Sequence, residues 1–132
     1  MPIRIANLVS PQAQRRFTKD FTPKGRRSPI IYAVSLAEHP SLTKIGRTLN
    51  WNTRRKQYAS WNLAKSNAIT AQRTFLITEE FIDLPALEKH IIDMMPFPKL
   101  SHRSEWFETQ IDDAAREIDR ILTAASLAYI IE

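Results

Sequence analysis

Lys44-Ile45-Gly46-Arg47 is the stretch best suited to chemistry. A strand-ending glycine between cations, followed by a basic helix studded with aromatics, is an arrangement for holding phosphate. From Lys44 to Arg73 the chain carries seven basic residues (Lys44, Arg47, Arg54, Arg55, Lys56, Lys65 and Arg73) and no acidic one. Gly46 is one of two glycines among 132 residues. Successive helical residues turn by about 100°, so Arg54, Tyr58 and Trp61 share one helix face while Arg55 and Lys56 point elsewhere. An arginine shielded by two aromatics solubilises poorly but makes a good fork for a phosphate. A surface stack of Arg54 on Trp61 would account for the same spacing.

Glu88 is the second anomaly. Leu84, Leu87, Ile91, Ile92, Met94 and Met95 span the apolar arc of a later helix, and Glu88 falls inside that arc while Lys89, His90 and Asp93 lie opposite. A carboxylate on a core face requires a cation, a metal or hydrogen bonds to offset its lost hydration. The basic first half of the chain is one source, and an internal Glu–Arg pair is the commoner outcome of such geometry. Tyr32, mid-strand among β-branched neighbours, reads as a packing residue with a satisfied hydroxyl. His39, His90 and His102 show no metal-ligand spacing. Without GxSxG, a Walker loop or HExxH, acyl-transfer, P-loop and zincin chemistries have no footing.

These residues need elements to position them. Ile30 to Leu36 is a β-rich run, Ala37 to Ser41 a turn, and Leu42 to Arg47 a returning strand, together an antiparallel hairpin. Asn52 or Thr53 caps a helix expected to reach Leu63 or Ala64. Ile69, Ala71, Phe75 and Ile77 alternate with polar residues at the period of a half-buried strand. Pro85 opens the next helix, which Pro96 and Pro98 stop near Met95. Glu105-Trp106-Phe107 is a short apolar element. Thr109 then caps a last helix with a stripe of Ile111, Ala114, Ala115, Ile118, Leu122, Ala125 and Tyr129. The predicted order is β-β-α-β-α-(β)-α, an α+β fold.

Composition bounds the class. The length suits one domain, and 43% hydrophobic with 25% charged residues is ordinary for a soluble globular chain. Zero cysteines exclude disulfides and thiolate metal sites and fit a cytoplasmic location. No apolar run approaches spanning length and no signal-peptide pattern opens the chain, so no membrane is implicated. Residues 1–29 hold seven basic residues against Asp20 alone, a basic N-terminal arm preceding a domain over 30–132. Residues 79–132 hold five basic and twelve acidic residues. Such polarity suggests an anion on one side of the molecule, and a solubility pattern would account for the same charge runs.

Read in order, Ile30-Ile31-Tyr32, Lys44-Ile45-Gly46, Arg54 eight residues past the glycine, Tyr58 one turn later and Glu88 on a following helix resemble the GIY-YIG nuclease superfamily. Lys44-Ile45-Gly46-Arg47 and Glu105-Trp106-Phe107 are similar to its short branch, described in phages and bacteria as a DNA-binding domain; the likeness runs from about Ile30 to Ile121. The resemblance implies a small three-stranded antiparallel sheet flanked by helices and phosphodiester cleavage with one divalent ion, Mg²⁺ or Mn²⁺. It makes Glu88 the sole protein ligand of that ion and Arg54 the holder of the scissile phosphate. It has Tyr32 orient or deprotonate the attacking water, with Lys44 in place of the second tyrosine and Tyr58 at a site often held by histidine or tyrosine. Lys44 and Arg54 would lower the Tyr32 pKa from about 10. Glu105 falls near a position where the family carries an asparagine, and Trp106 and Phe107 read as core anchors.

The function implied is a metal-dependent DNA endonuclease. Arg47, Arg55, Lys56, Lys65 and Arg73, with Arg15, Arg16, Lys24, Arg26 and Arg27 of the arm, would grip the DNA backbone. The alternatives are a non-cleaving DNA-binding module on the same scaffold and a small regulatory or protein-interaction factor. One small site nicks one strand, so breaking both requires a homodimer or two visits. A targeting partner protein is compatible with so short a chain.

Overall fold

Strand β1 (Ile30–Leu36) is buried at every position, because it runs through the middle of a sheet covered on both sides. The computed structural model of the chain describes residues 29–37, 39–60, 69–79, 82–101 and 105–131. Apart from Pro29, the basic arm lies outside the described residues, as do Trp61, Lys65 and His102. Pro29 already belongs to the sheet, its carbonyl accepting from the Ile77 N–H at 2.8 Å.

β1 pairs antiparallel with β2 (His39–Thr48) on one side and with β3 (Ile69–Ile77) on the other. This is the expected three-stranded core, and two short strands extend it. β4 (Trp106–Phe107) pairs with β2 and β5 (Tyr129–Ile131) with β3, giving the order β4-β2-β1-β3-β5. Among the described residues three helices flank it: α1 (Trp51–Ser60), α2 (Leu84–Met94) and α3 (Ile111–Ala124).

Side chains alternate between the two faces of the sheet. Ile31, Ala33, Ile45, Phe75, Ile77 and Phe107 meet Leu87, Ile91, Ile118 and Leu122 in the larger core, under α2 and α3. Ile30, Tyr32, Val34 and Leu36 point the other way and pack with Tyr58 of α1, flanked by Trp51, Ile69, Leu76 and Trp106.

Several expected boundaries move. β2 begins at His39, paired with Leu36 across a register irregularity, so the turn is shorter than Ala37–Ser41. The cap of α1 is Asn50, whose Oδ1 accepts from the Thr53 N–H at 3.1 Å; Asn52 and Thr53 are already helical. The end expected at Leu63 or Ala64 lies outside the described residues. On α2, Asp83 caps and Leu84, Leu87, Glu88 and Ile91 are buried, but Met94, assigned to the apolar arc, is 40% exposed. Thr109 does not cap α3; Gln110 stands at the cap without a side-chain bond.

The largest correction is at the C-terminus. Tyr129 continues the helical spacing of α3 in sequence, yet the helix stops at Ala124. Ser126 takes φ 58°, Ser126 N–H bonds the Thr123 carbonyl and Leu127 N–H bonds the Leu122 carbonyl. This is the Schellman closure, with serine where glycine usually sits. The chain then reverses, and Tyr129 joins β5 opposite Ile77.

Candidate phosphodiester site

α1 is polar over most of its described side chains, and Trp51, Arg54 and Tyr58 form an inward stripe at helical spacing i, i+3, i+7. That stripe lies over the β1–β2 register where Tyr32 stands opposite Gly46 and Val34 opposite Lys44. Directly opposed residues project from the same face, so Lys44 and Gly46 share the face of Tyr32.

Gly46 is there for space. Its φ is not positive, but a Cβ would lie 2.4 Å from Tyr32 Oη and 2.5 Å from Cζ, because the phenol rests directly against the backbone. Tyr32 Oη meets Tyr58 Oη at 3.0 Å in a buried hydroxyl pair. The Trp51 ring tilts against Tyr32 with centroids 5.0 Å apart, and Lys44 Nζ stands 5.4 Å from the centre of the Tyr58 ring. Arg54 is close enough for its charge to act on both phenols. Its Nε is fully buried and has no hydrogen-bond partner among the described residues. Beside it opens a cleft of about 320 Å³ lined by Thr48, Leu49, Asn50, Thr53, Arg54 and Gln57.

The phenols do not behave as anticipated. Burial raises the Tyr32 pKa above its ordinary value, more than the Tyr58 hydrogen bond and Arg54 lower it, while Glu105 and Glu88 raise it further. Burial pushes Tyr58 higher still, reinforced by Tyr32. Desolvation of the phenolate outweighs the nearby cations. Tyr32 is therefore a neutral hydroxyl at physiological pH, its pKa raised rather than lowered as expected, because burial outweighs Arg54.

Glu88 is carried by α2 on the other side of the sheet, 8% exposed, and its charge still reaches Tyr32. Its Oε1 accepts from Arg47 Nη1 at 3.0 Å. Arg47 neighbours Gly46 but points to the α2 face, opposite Ile31 in register. The internal Glu–Arg pair favoured by helix geometry is thus present, made by Arg47. Burial raises the Glu88 pKa, with Arg47 opposing, Glu105 adding and Lys44 opposing. Among the described residues no three His, Asp or Glu side chains gather in a metal-binding group. The donor set suits a hard cation that retains most of its waters: one carboxylate, with the charge of Glu105 nearby.

The basic residues divide. Arg55 and Lys56 are exposed on the outer side of α1. Arg73 stands opposite Ala33, on the α3 face, and bonds Asp112 at 2.8 Å, so it is turned away from Tyr32 and Arg54. Arg15, Arg16, Lys24, Arg26, Arg27 and Lys65 lie outside the described residues. One contributor, Trp51, escaped sequence reasoning, and Glu105 entered it only through the resemblance. Trp51 was legible as the residue three before Arg54 on the same stripe. Glu105 is placed by pairing across strands: its carbonyl accepts from Ile45 N–H at 3.1 Å, and its charge reaches Tyr32, Tyr58 and Glu88.

An antiparallel sheet carrying a tyrosine over a glycine, with an arginine and a second tyrosine from the next helix, defines a protein of the GIY-YIG-like class. The chain belongs to the T5orf172 domain family, which matches residues 29–122 and points to a DNA-binding or nuclease-like module. No curated protein and no solved structure matches it. Among the described residues no helix is long and apolar enough to cross a membrane.

Proposed function

We propose that the chain is a metal-dependent DNA endonuclease that hydrolyses a phosphodiester at the Tyr32–Arg54–Glu88 region. The observation that carries this reading is the buried, unpartnered Nε of Arg54 beside an open cleft. Buried donors are almost always satisfied, and a guanidinium with a free donor, whose charge reaches two hydroxyls, is suited to a phosphate. Arg54 holds the scissile phosphate and Lys44 offsets charge that grows on it. Tyr32 and Tyr58, both neutral, orient the reacting groups by hydrogen bonding rather than by taking a proton. Glu88 would hold the Mg²⁺ or Mn²⁺ ion. When bound, that ion supplies positive charge at the phosphoryl oxygens and lowers the pKa of water.

A DNA-binding module without turnover is the second reading, and the Arg47–Glu88 pair favours it by occupying the one carboxylate. The third, a regulatory or protein-interaction factor, predicts no nucleic-acid affinity at all. Supercoiled plasmid separates the three. The nuclease nicks it with Mg²⁺ or Mn²⁺ and stops with EDTA, and Glu88→Ala removes cutting while binding persists. Salt-sensitive binding with no cutting across metals and substrates gives the binder. A targeting partner or homodimer would show itself as a requirement for a second component or as a steep dependence on protein concentration.

A further inference from the structure

Arg47 and Glu88 form a pair whose two ends are built differently. Glu88 is held on α2 between Leu87 and Ile91, all three buried, so its carboxylate is fixed. Arg47 stands near the end of β2 with 41% of its side chain exposed, against 10% for Glu88. One hydrogen bond joins them, through Nη1, although a guanidinium has five N–H donors and can grip a carboxylate with two. The cation is thus the mobile partner, and most of its donors remain for another anion.

We infer that Arg47 is an exchangeable counter-ion, blocking Glu88 in the free protein and leaving it for a backbone phosphate when DNA arrives. This rests on the reading of Glu88 as a metal ligand. A carboxylate only 8% exposed, with Arg47 as its one ion-pair partner among the described residues, is poorly tolerated as an unpaired charge. Departure of Arg47 therefore creates a demand for a replacement cation at Glu88. A divalent ion meets it, and the incoming phosphate adds oxygen donors. DNA and metal then strengthen each other's binding, and by linkage the factor is the same in both directions. Arg47 acts here as a positioning residue, setting when Glu88 is open.

The test is Mn²⁺ binding by the full-length chain, read from the electron paramagnetic resonance of free Mn²⁺, with and without a short duplex carrying uncleavable phosphorothioate linkages. Wild type should bind Mn²⁺ weakly alone and about tenfold or more tightly with duplex. Arg47→Gln should bind Mn²⁺ tightly without duplex, gain little when it is added, and hold duplex less tightly. Adding Glu88→Gln to that variant should remove the gain. Equal Mn²⁺ affinity of wild type and Arg47→Gln, or a gain that survives Glu88→Gln, overturns the exchange. Should Arg47→Gln fail to fold, the wild-type measurement decides alone, and no effect of duplex on Mn²⁺ affinity overturns it. Plasmid left uncut with the Mn²⁺ pattern intact removes the nuclease reading and keeps the exchange. Cutting with equal Mn²⁺ affinities does the reverse.

Discussion

The face of the sheet under α2 and α3 and the face under α1 use one central strand for opposite ends. Toward α2 and α3, Ile31 and Ala33 enter a core filled by Phe75, Phe107, Leu87, Ile91, Ile118 and Leu122, all with almost no exposure. Toward α1, Ile30, Tyr32 and Val34 meet a single helix whose inward stripe is two aromatics and an arginine. The larger core lies on the first face and the candidate site on the second, divided by strand parity. The exception is Glu88, a charged residue on the stable face, and Arg47 is the residue that makes it tolerable there.

That division can be broken or sharpened by substitution. Phe107→Ala empties the middle of the larger core and should lower the unfolding free energy by about 3–5 kcal/mol in a urea titration; a loss under about 1 kcal/mol would erase the contrast. Gly46→Ala drives a methyl into the Tyr32 phenol, at about 1–3 kcal/mol, and should sharply weaken DNA binding as the ring moves. Unchanged binding would mean that the phenol's place does not matter.

Tyr58→Phe strands the Tyr32 hydroxyl in a buried position and should cost about 1–3 kcal/mol. The double variant Tyr32→Phe, Tyr58→Phe should cost less than the sum of the two single changes, since neither hydroxyl is then left alone; strict additivity would deny the pairing. The raised phenol pKa values set a pH window as well. A group whose folded pKa lies above its ordinary value of 10.0 favours the fold fully below that pH and loses its contribution as pH rises beyond it. Phenolate absorbance from Tyr32 and Tyr58 should therefore emerge only above pH 10, together with loss of stability, and its appearance below pH 10 would contradict their burial. The smallest effect is Ser126→Gly, which relieves the left-handed backbone at the end of α3 and should raise stability by about 1 kcal/mol.

Local pattern revealed much of this. Alternation in Ile69–Ile77, the proline signals around α2 and the apolar stripe of α3 placed the main elements, because each is written in side-chain period. The Arg54–Tyr58 face and the buried Glu88 were legible for the same reason. Three features were not. The partner of Glu88 comes from 41 residues away in sequence, and only β2–α2 packing decides that it is Arg47. The balance between burial and cations at Tyr32 depends on depth, which spacing does not report. β5 was hidden because Tyr129 fits the helical stripe, while the stop is a backbone turn at Ser126 that serine does not signal as glycine would.

The contact between Tyr32 and Gly46 makes two positions fourteen residues apart share a single volume. Because the ring carbon Cζ is as crowded as the hydroxyl, trimming tyrosine to phenylalanine frees no room for a side chain at 46. A descendant of this chain can acquire one there only by displacing the aromatic ring at 32 or giving it up. The phenol and the glycine are therefore inherited as one character, and relatives should keep both or lose both.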